Sequence, residues 1–167
     1  QTFTADSTEP HLNLSIFINY FNKTHLLSKV PAFKIISSSG KNEFEWQGMT
    51  SDLQVSSNAN HIQGQVLVDG VRLKDMTATE IMRVVMTGIK VNYNLTRTSL
   101  ALYMGDADIL FPSVLVTKGE QKTFEIQNLT VHSGSRLHDR LVSTNMKATL
   151  DHLFNEGASY GPVVLDL

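Results

Sequence analysis

The sequence predicts an α+β fold, a mostly antiparallel β-sheet packed with two α-helices at about residues 77–90 and 136–155. Apolar and polar residues alternate in several short runs, which is typical of strands with one covered face. Two further segments carry apolar residues at helical spacing. The order of these segments (strands, helix, strands, helix) favours α+β over a doubly wound parallel sheet.

The chain divides into a polar N-terminal arm, residues 1–10, and a single globular domain, residues 11–167. The arm "QTFTADSTEP" is polar and ends at Pro10. The remaining length suits one domain, and a hydrophobic content of 41% can supply a core without disulfides. The chain begins with Gln1 rather than Met, which indicates a processed, trimmed or partial sequence.

The first strands are predicted from alternation. "HLNLSIFINYF", residues 11–21, places Leu and Ile at every second position, and residues 31–48 predict a strand, a turn and a strand. "HIQGQVLVDGVRLK", residues 61–74, predicts a further strand, in which Gly70 marks either a hairpin turn or a bulge.

The first helix is predicted from its capping residues. Thr77 is followed three residues later by Glu80, which is the pattern of a capping box. Ile81, Val84 and Val85 then fall on one helical stripe. We therefore expect a helix over residues 77–90.

More strands and a second helix follow. The run "TFEIQNLTVH" changes its alternation phase between Ile126 and Leu129, which predicts a bulge near Asn128. Residues 136–155 carry apolar side chains at helical spacing, and Gly157 is a natural stop. The final "GPVVLDL" predicts a short last strand.

Composition and motifs exclude several classes of function. The chain has no cysteine, so disulfides, cysteine nucleophiles and cysteine-ligated metals are absent. A net charge of −2 gives no general attraction to nucleic acid. No apolar run reaches the length of a membrane span. The Gly40-Lys41 pair lacks the other residues of a phosphate-binding loop, and no nucleophile elbow or dinucleotide motif occurs.

The remaining chemical candidates favour structural interpretations. Asp106 and Asp108 form an Asp-x-Asp pattern, which could hold a cation but is more typical of a turn. His132 and His138 stand six residues apart, a spacing that favours surface or capping histidines over metal ligands. An enzyme would need a pocket that gathers both histidines with one of the aspartates. We therefore expect no catalytic residue, metal, cofactor or small-molecule substrate.

Two sets of residues are candidates for binding or modification. Basic residues near the two expected helices could contact phosphates or lipid headgroups, although a solvated face neutralised by nearby aspartates is favoured. Asn-x-Ser/Thr sequons would matter only if the chain is secreted. The basic candidates are Arg72, Lys74, Arg83, Lys90, Arg136, Arg140 and Lys147, and the sequons begin at Asn13, Asn22, Asn94 and Asn128.

From His61 onward the expected order is a strand, a turn, the helix "TATEIMRVVMTGIK", a pair of strands, "KTFEIQNLTVH", a helix and "GPVVLDL". This order resembles the core of rhabdovirus-type viral matrix proteins. The resemblance implies a non-enzymatic structural protein that self-associates into a lattice. It would bridge a nucleocapsid protein and a membrane surface during virion assembly, in the virion interior or host cytoplasm.

The alternative is a β-rich binding module that is secreted or displayed on a cell surface and carries N-glycans. The sequons and the N-terminal glutamine favour it. The absence of cysteine disfavours it, because small secreted domains often depend on disulfides.

Overall fold

The computed structural model describes residues 3–6, 13–18, 23–139 and 141–167. Within these ranges the chain forms fourteen β-strands and one 3-10 turn, Ser57–Ala59. The strands are β1 Phe3–Asp6, β2 Asn13–Ile18, β3 Thr24–Val30, β4 Phe33–Ser37, β5 Asn42–Trp46, β6 Met49–Val55, β7 His61–Asp75, β8 Met82–Arg97, β9 Tyr103–Lys118, β10 Gln121–His138, β11 Leu141–Leu150, β12 His152–Asn155, β13 Ala158–Tyr160 and β14 Val163–Asp166.

The strands form one antiparallel sheet built around four long strands, β7 to β10, of 15 to 18 residues each. At one end of the long strands the order is β2-β3-β6-β7-β8-β9-β10-β11-β14, which we name the β6 half. At the other end the order is β1-β4-β5-β7-β8-β9-β10-β12-β13, which we name the β5 half. Residues 3–6 of the expected N-terminal arm are β1, which pairs with β4.

A line of irregular residues crosses the sheet between the two halves. Gly48, with φ +127°, separates β5 from β6 and accepts a backbone hydrogen bond from Asp69. Gly88 and Asn128 have φ of +48° and +52° in the middle of β8 and β10. Pro112 lies opposite Gly88 in β9 and cannot donate to the ladder there. The long strands therefore lose regular pairing at the same level.

The apolar positions change parity at this line. In β8 the apolar set that includes Ile89 occupies odd positions, whereas the set that includes Met86 occupies even positions. Gly88 stands between them. A regular strand would send the two sets to opposite faces, because side chains alternate with a period of two. Gly88, with its left-handed backbone, therefore lies where the alternation of apolar and polar residues is interrupted.

The phase change in β10 lies where the sequence predicts it, but it is not an inserted residue. Asn128 is left-handed, and the pairing of β9 with β10 has the same register on both sides of it. The register shift in this pair lies between Lys122 and Phe124. Gly70 does not form a hairpin turn, because β7 continues through it to Asp75.

The helix expected at 77–90 is wrong, because these residues form a hairpin loop and the beginning of β8. Val84 pairs with Leu73 on one side and with Val116 on the other. Val85 projects to the opposite face, so this stretch of β8 is apolar on both faces. In the sequence, the apolar residues of such a strand have the same spacing as the apolar face of a helix. Only pairing with strands on both sides distinguishes the strand from the helix.

Thr77 does not cap a helix. Its backbone N–H and its hydroxyl both donate to the carboxylate of Asp75, at 2.8 and 2.6 Å. This local turn opens the loop between β7 and β8, and it lowers the pKa of Asp75 from its ordinary value. Glu80 lies 3.6 Å from Lys118 rather than closing a capping box.

The helix expected at 136–155 is also wrong. This segment contains the end of β10, all of β11 and β12, and the hairpin between β10 and β11. Leu137 pairs with Val142 across that hairpin, and Leu153 of β12 pairs with Ile126 of β10. The apolar residues are spread over three strands, so their helical spacing is fortuitous. The fold is a β-sheet and not α+β.

No second layer covers the sheet within the described residues. Among these residues Met104 is the only apolar one that is buried, with 8% of its surface exposed. The accessible surface of the chain is 11120 Å², whereas a compact monomer of this mass would expose about 8,200 Å². The chain therefore exposes about 2,900 Å² more surface than a compact protein of this mass.

Candidate functional site

One face of the β6 half is apolar. Directly paired residues share a face, so Val66, Val91, Ile109 and Val131 form one apolar rung across four strands. We name this surface the apolar face. Its apolar members on the nine strands are Leu14, Ile16, Ile18, Leu26, Val30, Met49, Leu53, Val55, Ile62, Val66, Val68, Ile89, Val91, Tyr93, Leu95, Ala107, Ile109, Phe111, Leu129, Val131, Met146, Ala148, Leu150, Val163 and Leu165.

The apolar face has four rungs, the first of which contains Ile18 and the last Val30. None of the residues that the structure describes in these rungs is charged. Its central side chains are half-buried by their neighbours in the sheet, and its edges are open. Ile16 and Leu165, near the two edges, are 57% and 50% exposed. Exposed apolar surfaces that cross several strands are unusual in monomers and are candidate binding surfaces.

Tyr93 is the largest polar group on the apolar face. Its ring lies over Gly64 of the neighbouring strand, where a Cβ would meet its hydroxyl. Burial raises the pKa of the Tyr93 phenol, and the negative charge of Asp52 adds to the effect. Tyr93 is therefore neutral at physiological pH.

The opposite face of the same half is polar. Gln65, Asn92, Asp108 and His132 form the rung that alternates with the valine rung. The Gln65 amide donates to Asn92 at 2.8 Å, and His132 Nδ1 lies 2.7 Å from Asp108 Oδ1. This surface, which we name the polar face, supplies its own hydrogen-bond partners and is the solvent side of the sheet.

Asp106 and Asp108 do not make a turn. Both lie inside β9 and project from the polar face, where Arg136 of β10 donates two hydrogen bonds to Asp106 at 2.8 and 2.9 Å. His132 reaches both aspartates, but His138 lies at the end of β10 near Asp139 and is 89% exposed. Among the described residues, His132 and His138 therefore do not come together with these aspartates.

No metal site is apparent in the described ranges, where no group of three or more His, Asp or Glu side chains could hold an ion. The Asp106–Arg136 pair could not be predicted from the sequence, because it depends on the register of β9 against β10. The available signal for this pair was the presence of two acidic residues, Asp106 and Asp108, on one strand and of the run "HSGSR", residues 132–136, on the next strand.

The candidate basic residues that the structure describes lie on strands and not around helices. Arg72 and Lys74 lie in the β5 half, where Glu45 and Glu43 are 3.3 and 3.7 Å away. Arg83 donates to the carbonyl of Gly119 at 3.2 Å. Lys90 and Lys147 project from the polar face, across the sheet from the apolar face. Arg140 lies outside the described residues.

The sequons are dispersed over the sheet. Asn13 lies in β2 and Asn94 on the polar face of β8, while the side chain of Asn128 donates to Asp151 at 2.9 Å. Asn22 lies outside the described residues. Glycosylation of these sites stays a prediction.

We predict that the protein loses stability below pH 4.5 because of carboxylates in the β5 half. A hydrogen bond from Lys34 lowers the pKa of Glu43 from 4.5, and one from Lys122 lowers that of Glu125. A carboxyl with a lowered folded pKa stabilises the fold above its unfolded pKa and loses that contribution as pH falls through the folded value. Urea unfolding at pH 7 and at pH 3 should show the loss.

The matched variants for this pH effect are Glu43→Gln and Glu80→Gln. Glu43 lies between Lys34, at 3.0 Å, and Lys74, so its amide variant should reduce the loss of stability between pH 7 and pH 3. Glu80 is 58% exposed and should leave it unchanged. Equal acid sensitivity in both variants would exclude Glu43 as a source.

Within the part of the chain that the structure describes, no helix has the length and hydropathy to cross a membrane. The sequence matches over residues 1–167 a protein family described as "Bacterial protein of unknown function (DUF945)". No curated protein and no solved structure matches. The resemblance to rhabdovirus-type matrix proteins is therefore wrong, and the nucleocapsid partner and virion assembly that it implied lose their basis.

Proposed function

Since the chain belongs to this bacterial family of unknown function, we propose from its own geometry that it is a non-enzymatic lipid-binding module. In this proposal acyl chains cover the apolar face. The observation that carries it is that the β6 half of a single-layer sheet has one apolar face and one polar face. Apolar surface of this extent is stable in water only when other apolar material covers it.

The extent of the open surface supports a covering ligand. The excess of about 2,900 Å² over a compact monomer of this mass, which the two faces and the edges of the sheet share, is larger than a standard protein interface. The central rungs, exemplified by Val66, Val91 and Ile109, contain no charged side chain among the described residues, and their polar groups are hydroxyls such as those of Ser51 and Tyr93. The matching ligand is therefore a hydrocarbon chain, with its headgroup beyond the rungs.

The direct test is a titration of the purified chain with cis-parinaric acid, a fluorescent fatty acid. We expect a saturable increase in fluorescence that palmitic acid reverses and hexanoic acid does not, because only the longer chain spans several rungs. Absence of saturable binding, or equal displacement by hexanoic acid, would contradict the proposal.

A further inference from the structure

Strand β14, Val163–Asp166, is an edge strand with the composition of a central strand. Among the described residues it pairs with β11 alone. Val163 and Leu165 lie on the apolar face, and Val164 projects from the polar face with 62% of its surface exposed. Edge strands are normally protected by short length, charges, prolines or bulges, because their free backbone groups pair with other strands. β14 is four residues long and Asp166 is its one charge, so its three apolar residues leave the edge open to pairing.

The hydrogen bonds of β14 define which backbone groups face outward. Met146 and Leu167 exchange two backbone hydrogen bonds, each of 2.9 Å. Hydrogen-bonded and non-hydrogen-bonded pairs alternate along an antiparallel ladder. The N–H and C=O groups of Val163 and Leu165 therefore point towards β11, and those of Val164 and Asp166 point away from the sheet.

We infer that β14 pairs antiparallel with β14 of a second copy of this chain, about a twofold axis perpendicular to the sheet. In the register that uses the outward groups, Val164 exchanges two hydrogen bonds with Asp166 of the second copy, and the symmetric pair does the same. Leu165 then lies opposite Leu165 of the second copy. The pairing is self-complementary, as a twofold interface requires.

The sheet itself favours this occupant. The strand pairings of the described residues are antiparallel, and a twofold axis perpendicular to the sheet continues that pattern across the new edge. The same axis keeps both apolar faces on one side, so pairing doubles the width of that face. Asp166 would lie beside Val164 of the second copy and beside its own cross-strand neighbour Lys147, which avoids a like-charge contact.

Cysteine cross-linking tests the register, since the chain contains no cysteine. Leu165→Cys would place two Cα atoms opposite each other in a non-hydrogen-bonded pair, about 4.5 Å apart, which is within the range of a disulfide. Val163→Cys is the matched control. It would lie opposite Leu167 of the second copy, so the two Val163 Cα atoms would be about 14 Å apart along the strands.

Under mild oxidation we expect Leu165→Cys to form a disulfide-linked dimer at least tenfold faster than Val163→Cys. Equal rates, or no dimer with either variant, would overturn the inference. The inference rests on the edge of the sheet and not on lipid binding. Val91→Lys, which is expected to weaken acyl-chain binding at the apolar face, should therefore leave the rate of the Leu165→Cys cross-link unchanged.

A proline variant tests the outward backbone groups. Val164→Pro removes an N–H that β11 does not use, so the fold should persist while the paired state is lost. Val164→Thr keeps the N–H and should still sediment as a dimer. Circular dichroism would report the fold and sedimentation velocity the mass. A dimer that survives in a folded Val164→Pro variant would overturn the inference.

Discussion

Val91→Lys is expected to weaken the binding of cis-parinaric acid at least tenfold. Val91 lies at the centre of the apolar face, between Val66 and Ile109 in register. A lysine placed within hydrocarbon costs about 2.5–3.5 kcal/mol, and about 1.4 kcal/mol corresponds to a tenfold change in affinity. Part of this cost is recovered if the ammonium bends towards water. Fluorescence titration measures the change.

Asn92→Lys is the matched control, because it introduces the same charge one residue away on the polar face. Asn92 pairs with Gln65 and Asp108, both on the solvent side. We expect the dissociation constant of this variant to stay within about twofold of the original. If both variants lose affinity equally, the ligand does not distinguish the faces and the assignment of the apolar face is wrong.

Gly105→Ala is expected to destabilise the fold by about 3 kcal/mol or more, the range of severe core clashes. Gly105 has φ +155°, and a Cβ at this position would overlap the backbone carbonyl oxygen of Asn94 in the adjacent strand. A backbone atom inside a ladder cannot move without breaking the hydrogen bonds of β8. Urea unfolding followed by circular dichroism measures the effect.

Gly119→Ala separates the steric clash from the cost of a left-handed backbone. Gly119 has φ +61° in the turn between β9 and β10, and a Cβ there would meet nothing within 4 Å. Its replacement should cost about 1 kcal/mol through backbone conformation alone. Losses of the same size at both positions would show that the close approach of Gly105 to Asn94 has no energetic consequence.

The strands with clear alternation could be predicted from the sequence, but both helices were wrong. Around Val84 and Val85 the strand is apolar on both faces, so its apolar residues do not alternate with polar ones. Local spacing cannot distinguish such a stretch from one face of a helix. Residues Leu137 to Phe154 gave a helical stripe for a different reason, since they belong to three strands.

The candidate site was less predictable than the strands. The apolar face exists only when the registers of nine strands are combined, and pairings such as Val66 with Val91 join residues distant in sequence. The pair of Asp108 and His132 was hidden for the same reason. The phase change near Asn128 could be predicted because it depends on alternation within one strand.

The most direct measurement is the set of contacts between a bound fatty acid and methyl groups on the two faces of the same strands. Val66 and Ile109 lie on the apolar face of β7 and β9, and Leu67 and Leu110 lie on the polar face. In a methyl-labelled sample with palmitic acid, we predict intermolecular nuclear Overhauser effects from the acyl chain to Val66 and Ile109. Effects to Leu67 and Leu110, or to neither pair, would contradict acyl-chain binding at the apolar face.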